Sequence, residues 1–373
     1  MEVLLENFNY ITWQMLVMWA IGGVLIYLAI AKEMEPTLLL PMGFGAILVN
    51  LPIAVPDTGV QHVLNTLFSI GIAGAELFPL MLFIGIGAMI DFQPLLTNPK
   101  LMIFGAAAQF GIFFTLAAAS LLGFDIQDAA SIAIIGAADG PTSIFVATEL
   151  GSKYLGAIMV AAYSYMALVP LIQPPIIKLC TTKAERKIKM QYKGKPVSKL
   201  TKILFPIVVT IIVGLVAPDA VALIGFLMFG NLIRECGVMS SISETAQNAL
   251  ANLITIFLGI TIASQMKASE FLQLDTLIII GLGLVAFVFD TFGGIMVAKI
   301  MNLFSKEKIN PMIGAAGISA FPMSARVVHK MGLEEDNQNF LLMHSIGVNV
   351  SGQIASVIAG GLILALVKAM IGG

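Results

Sequence analysis

Gly136-Ala137-Ala138-Asp139-Gly140-Pro141-Thr142-Ser143 sets a single carboxylate among small residues, in a run that is otherwise apolar from Ala129 to Ala147. A glycine next to a proline frees backbone carbonyls and amides from helical pairing. At membrane depth, such backbone survives only when buried in protein or lining a water-filled cavity. An ionisable residue there marks a functional site by default. The competing reading, an Asp-Gly-Pro turn outside the membrane, weakens once the flanking sequence is taken in.

Of the 373 residues, 58% are hydrophobic and 11% charged, where soluble domains average roughly a quarter charged. The chain reads as an all-α polytopic membrane protein. Apolar runs near the ~20 residues that cross a bilayer fall at 13–31, 38–55, 64–90, 101–122 and 154–177. After a polar linker at 178–202, others follow at 203–217, 220–232, 248–263, 276–300 and 339–367. Between the fourth and fifth run of each half lies a segment too broken for a simple helix, at 129–148 and 310–326. Both contain Ile-Gly-Ala-Ala, at 135–138 and 313–316. The expectation is two inverted repeats of about five transmembrane helices, 1–177 and 203–373, each with a broken or re-entrant segment. An odd number of crossings per half inserts the second copy upside down. Paired interruptions of this kind point to a binding site near the membrane midplane.

The distribution of basic residues tests this threading. With the N-terminus outside, Lys32, Lys100, Arg234, Lys299, Lys306, Lys308 and Lys330 fall on the cytoplasmic side. The nine basic residues of the linker join them, while Lys153, Lys267 and Lys368 fall outside. The first broken segment should then dip in from outside and the second from inside, with Arg326 at the inner mouth of the second. Residues 1–10 hold Glu2 and Glu6 but no lysine or arginine, so the positive region of a cleavable signal is missing. Cys180 and Cys236 are far apart, which indicates neither a disulfide nor a zinc site. No phosphate-binding glycine loop occurs, which argues against an ATP-driven pump on this chain. Nothing points to nucleic acid.

Few polar residues sit at membrane depth. Tyr163, Ser164 and Tyr165 open an apolar run, where tyrosines commonly form interfacial belts. Asn310, Ser319 and Ser324 lie in the second broken segment; serines there either satisfy freed backbone or ligate a hard cation. Asp290 sits inside a span as a second ion ligand or a paired buried group, and Glu76 is similar but less specific. His344, Asn349, Ser351 and Gln353 stripe the last span, and a lone histidine in such a stripe is more often a core residue than a ligand. Sodium prefers oxygen ligands, which Asp139, the carbonyls of 136–140 and the Ser319 hydroxyl supply. No cysteine–histidine cluster suits a transition metal. The residues alone lead to an ion-binding inverted-repeat membrane protein.

Three longer motifs go further. They are the stretch from Gly136 to Thr142, Ala162-Tyr163-Ser164-Tyr165-Met166-Ala167-Leu168-Val169-Pro170, and the segment from Asn310 to Arg326, continued by Asn339-Phe340-Leu341-Leu342-Met343-His344. They resemble the beta subunit of the sodium-pumping, biotin-dependent decarboxylases, a family spanning oxaloacetate, methylmalonyl-CoA, glutaconyl-CoA and malonate enzymes. The resemblance covers nearly the whole chain. It implies a membrane subunit that decarboxylates carboxybiotin and couples this to sodium export, with a proton consumed. It also implies a carboxyltransferase alpha subunit, a biotin carrier subunit and a small gamma- or delta-type membrane subunit as partners, in an oligomeric complex of the bacterial cytoplasmic (inner) membrane. By motif, the family's essential aspartate falls on Asp139 and its tyrosine on Tyr165. Its asparagine, glycine, serine and arginine fall on Asn310, Gly314, Ser319 and Arg326. On this reading Asp139 alternates between sodium and a proton, Tyr165 donates the proton, and Arg326 grips the substrate carboxylate with its planar fork. The chain has no Met-Lys-Met biotinyl site, so biotin must come on a partner. Oxaloacetate-type subunits tend to carry extra N-terminal sequence, which leans this chain toward the acyl-CoA type. The rival reading is a secondary sodium symporter or antiporter of the same architecture, without chemistry.

Overall fold

The computed structural model describes residues 6–52, 59–74, 76–192, 194 and 196–372. Glu2, the end of the second apolar run (53–55), and Lys193 and Lys195 of the linker lie outside them. Among the described residues the elements are helical throughout. In order they are α1 (Trp13–Ala31), α2 (Pro36–Val49), α3 (Val60–Ala73), α4 (Leu77–Met89), α5 (Pro99–Leu121), α6 (Ile126–Ala137), α7 (Gly140–Glu149) and α8 (Leu155–Cys180). After the linker come α9 (Lys199–Val216), α10 (Val221–Cys236), α11 (Ser240–Ala263), α12 (Leu274–Phe304), α13 (Met312–Ala315), α14 (Met323–Glu335) and α15 (Leu342–Gly372). Lipid offers no hydrogen-bond partners, so an apolar run must satisfy its backbone internally, as a helix. Where helices start in water, side chains take over. The hydroxyls of Thr12 and Ser198 accept from Met15 and Thr201 N–H to begin α1 and α9.

Seven of these helices are long and apolar enough to cross a membrane, or eight if α3 and α4 count as one bent span. This is a multi-pass membrane protein. The ten runs read from the sequence all fall on helices, but α2 and α10 have only 14 and 16 residues. The run at 38–55 stops early because Asn50 turns the chain: its amide donates to Ala46 and Met266 carbonyls and its Oδ1 accepts from Ala268 N–H.

Two apolar cores form, and α8 lies between them. Tyr163 and Ala167 face the core built on α1, α2, α4 and α11. Tyr165 and Val169 face the core built on α5, α6, α12 and α15. The second core encloses both broken segments, and their ends identify which way each enters. The first begins beside Asp125 and Asp128, which pair with Lys153 at 3.3 Å, and ends at Glu149, paired with Lys368 at 2.8 Å. The second begins at Asn310, whose amide donates to the linker carbonyls of Arg186 and Ile188, both at 2.9 Å. It ends at Glu335, bound by Arg186 Nε at 2.6 Å. Helix α8, roughly 39 Å long, separates the Lys153 end from the linker end. The two segments are hairpins that enter from opposite ends.

Candidate ion-binding site

The hairpin tips meet in the interior. Ser319 N–H donates to the Ala137 carbonyl at 3.0 Å, joining one break to the other. In the first hairpin the chain turns at Ala138, which adopts φ 51° in the left-handed region. That conformation costs an L-residue of order 1 kcal/mol. It delivers Asp139 to the N-cap position of α7, with Pro141 in the first turn. The positive end of a helix favours an anion at this position.

Asp139 is 3% exposed. Three donors converge on its Oδ2: Thr142 Oγ1 at 2.6 Å, Gln353 Nε2 at 3.1 Å and Ser356 Oγ at 3.4 Å. Two of the three come from α15, which also contacts the other hairpin. Ser319 Oγ donates to the Gly352 carbonyl at 3.0 Å and Asn349 Nδ2 to the Ile318 carbonyl at 2.7 Å. One stretch of α15, residues 349–356, therefore binds both tips. Gly352 makes this possible: a Cβ there would lie 2.0 Å from the Gly317 carbonyl oxygen.

The structure brings Asp139 and Ser319 to one junction and sets the other candidates apart. Asn310 is at the linker end, its side-chain oxygen accepting from Met312 N–H at 3.1 Å. Gly314 lies against α12, where a Cβ would meet the Gly294 carbonyl oxygen at 2.1 Å, so it serves as a close-approach point between two backbones. Arg326 is exposed and stands in the first turn of α14, close enough to act electrostatically on Glu35. The hairpin's second limb runs on to Glu335, past the 326 expected from the sequence. Arg326 thus sits about 14 Å along the helix from that limb's end. Tyr163 and Tyr165 are buried, which rules out a lipid-facing belt. Tyr165 donates its hydroxyl to the Ile280 carbonyl on α12, and the Tyr163 ring packs where a Gly140 side chain would be.

Three site residues escaped the sequence reading. Thr142 lay inside the quoted motif but drew no role, and Ser356 extends the polar stripe of α15 by one position beyond Gln353. Gln173, on α8 between Pro170 and Pro174, holds the second hairpin: its Nε2 donates to the Ala315 carbonyl at 2.7 Å and to Ser324 Oγ at 2.8 Å. A glutamine in an apolar run flanked by prolines was the available signal.

A carboxylate flanked by hydroxyls, an amide and freed carbonyls is a donor set for a hard monovalent cation. Residues 14–367 match the family described as the Na+-transporting oxaloacetate decarboxylase beta subunit. The chain belongs to that family. It is 49% identical over 375 residues to the methylmalonyl-CoA decarboxylase subunit beta of Propionigenium modestum, covering 94% of both chains. It is 50% identical over 364 residues to the glutaconyl-CoA decarboxylase subunit beta of Acidaminococcus fermentans, covering 97% of this chain and 96% of the relative. With the oxaloacetate decarboxylase beta chain of Klebsiella pneumoniae it shares 46% identity over 413 residues, 95% of both. The beta-subunit relatives cover 94–97% of it, and membership makes this chain one subunit of a larger decarboxylase.

Proposed function

We propose that this chain decarboxylates carboxybiotin carried by a partner subunit and couples that step to sodium export, with a proton consumed. The observation that carries the reading is Asp139, buried at the meeting point of two hairpins that enter from opposite ends, with side-chain donors gathered on one of its oxygens. A group so placed can exchange its cation with either side as the tips shift. Sodium is cargo here, held by Asp139 with the hydroxyls of Thr142, Ser319 and Ser356 within the same junction. Export of one charge against about 100 mV requires roughly 2.3 kcal/mol, which the loss of carbon dioxide must supply.

Biotin arrives on a partner, and when carboxylated it supplies the carboxyl group that is lost. The residues of this chain suit that delivery. Arg326, exposed on α14, presents a fork that matches a carboxylate. Tyr165 holds its proton on the Ile280 carbonyl in the interior and releases it when α12 shifts. The two hairpins with matching Ile-Gly-Ala-Ala steps support the inverted-repeat reading, with repeats at 1–177 and 203–373. The basic linker supports a cytoplasmic position for 178–202 and an external N-terminus, in a bacterial inner membrane. Carboxyltransferase, carrier and small membrane subunits complete the assembly. An acyl-CoA substrate is the reading we favour: the acyl-CoA relatives align over 375 and 364 positions, whereas the oxaloacetate relative needs 413 and so carries more sequence that has no counterpart here.

Asp139→Asn tests the reading. The variant is expected to reach the membrane folded yet lose sodium-dependent decarboxylation of free carboxybiotin and sodium transport together. Retained transport would move the ion site elsewhere; transport by wild type without any decarboxylation would favour the antiporter.

A further inference from the structure

Asp290, in the middle of α12, is fully buried and donates nothing to the junction around Asp139. Helix α5 beside it is interrupted at Ala108 and Gln109 and resumes as Phe110–Leu121, with no cap from Gln109. Asp290 supplies the cap from another helix. Its Oδ1 accepts from Gly111 N–H and from Ile112 N–H, the latter at 3.2 Å. Those are the groups that a capping oxygen ordinarily serves.

The other oxygen is the independent sign of a ligand. Oδ2 is buried without a hydrogen-bond partner among the described residues. It faces the tip of the first hairpin, where a Cβ on Gly136 would lie 2.5 Å from it. An isolated carboxylate charge in an apolar interior is so costly that the group neutralises or finds a cation. No lysine, arginine or histidine pairs with Asp290 among the described residues. Packing decides what else can. A Cβ on Gly136 would also come within 2.7 Å of the Ala286 Cβ, and one on Gly111 within 2.1 Å of the Ala286 carbonyl oxygen. A sodium ion with its shell of oxygens needs room that these contacts do not leave. A proton needs none.

We infer that Asp290 is a proton-binding site, separate from Asp139, whose neutral carboxyl holds the break of α5 and the tip of the first hairpin against α12. Losing the proton leaves a charge on Oδ2 that only water or a cation can satisfy, and neither reaches it until Gly136 moves off. Proton occupancy and tip position are therefore linked, each biasing the other. The surrounding titratable groups are engaged elsewhere. The two halves of α5 that flank its break, Met102–Ala107 and Phe110–Leu121, and α13 present none. Asp128 of α6 bonds Ser152 and Lys153, and Asp139 turns to Thr142, Gln353 and Ser356. Tyr165 of α8 meets α12 at Ile280. Asp275 and Lys299, toward the two ends of α12, bond Tyr154 and the Cys180 carbonyl. The site stands whether or not the proposed function does, because its readouts are taken without turnover.

Infrared spectroscopy of the complex reads the proton directly. With Asp139→Asn as background, adding Asp290→Asn should remove the carbonyl stretch of a protonated carboxylic acid at neutral pH, equally with and without sodium. Loss of a carboxylate band instead, or conversion of acid to carboxylate by sodium, would overturn the site; the second result would make Asp290 an ion ligand. Asparagine has the shape of the neutral acid, so Asp290→Asn alone should keep the thermal midpoint. Asp290→Leu strands two N–H groups and should lower it. A midpoint lowered as far by asparagine as by leucine would show that the charge is needed, against the site. The link to the tip is read by hydrogen–deuterium exchange at 134–138, corrected for the intrinsic rate at each pH. In the Asp139→Asn background, raising the pH through the titration of Asp290 should cost about tenfold in protection per further pH unit. Adding Asp290→Asn should abolish that loss. Equal loss in both proteins, or loss in neither, would overturn the link.

Discussion

The two hairpins share a plan and differ in what they hold. The first carries a carboxylate at its tip and is served by side chains: Thr142, Gln353 and Ser356 all donate to Asp139. The second has no charge at its tip and is held mainly through its carbonyls, with Gln173 on Ala315 and Asn349 on Ile318. Its base is tied to the linker through Asn310 and through the Arg186–Glu335 pair. An ionised group in a low-dielectric interior needs several donors or a cation, and only the first hairpin is furnished for that. The second is tied to the linker at its base and to the shared helix α15 at its tip.

Substitutions on α15 break this comparison most severely, because one helix touches both tips. Gly352→Ala puts a methyl into the Gly317 carbonyl of the second hairpin, whereas at Gly360 the nearest neighbour is the Thr142 methyl group of the first, at 3.0 Å. Overpacking against backbone costs about 3 kcal/mol or more, and against a side chain that can yield, about 1 kcal/mol. Gly352→Ala should therefore abolish sodium-dependent turnover and lower the thermal midpoint of the purified subunit. Gly360→Ala should retain most activity. Equal effects would mean that the hairpins are held alike.

A smaller change sharpens the first hairpin's part. Gln353→Leu removes the amide that orients Asp139 and should raise the sodium concentration for half-maximal activity by about tenfold, at little cost to stability. An unchanged sodium requirement would show that Gln353 merely packs. The smallest effect is expected at the second tip. Ser319→Ala removes one hydroxyl from the junction and one hydrogen bond to a carbonyl, about 1 kcal/mol, and should raise the sodium requirement by less than Gln353→Leu does. An unchanged sodium requirement with only a lowered midpoint would reduce Ser319 to a backbone contact.

The carboxylate, the two interruptions and the opposed entry of the hairpins were legible in the sequence. Apolar length and helix-breaking residues are local properties, and lipid converts them directly into helices and breaks. The bounds of the second hairpin were less so. The sequence reading ended that segment at 326, whereas the limb runs on as α14 to Glu335, with Gln173 and Arg186 bonded near its two ends.

The sequence by itself determined that this chain is a membrane-embedded helical bundle with a carboxylate set in a break of its apolar runs, because apolar length and helix-breaking residues are local properties. Tertiary structure alone decided which side chains complete the site. Gln353 and Ser356 lie more than two hundred positions from Asp139, and no local periodicity encodes a contact made across a bundle. The same holds for the tip-to-tip bond from Ser319 to Ala137. It depends on how closely backbones approach, and glycines at 314 and 352 permit that approach because of the carbonyls that stand opposite them.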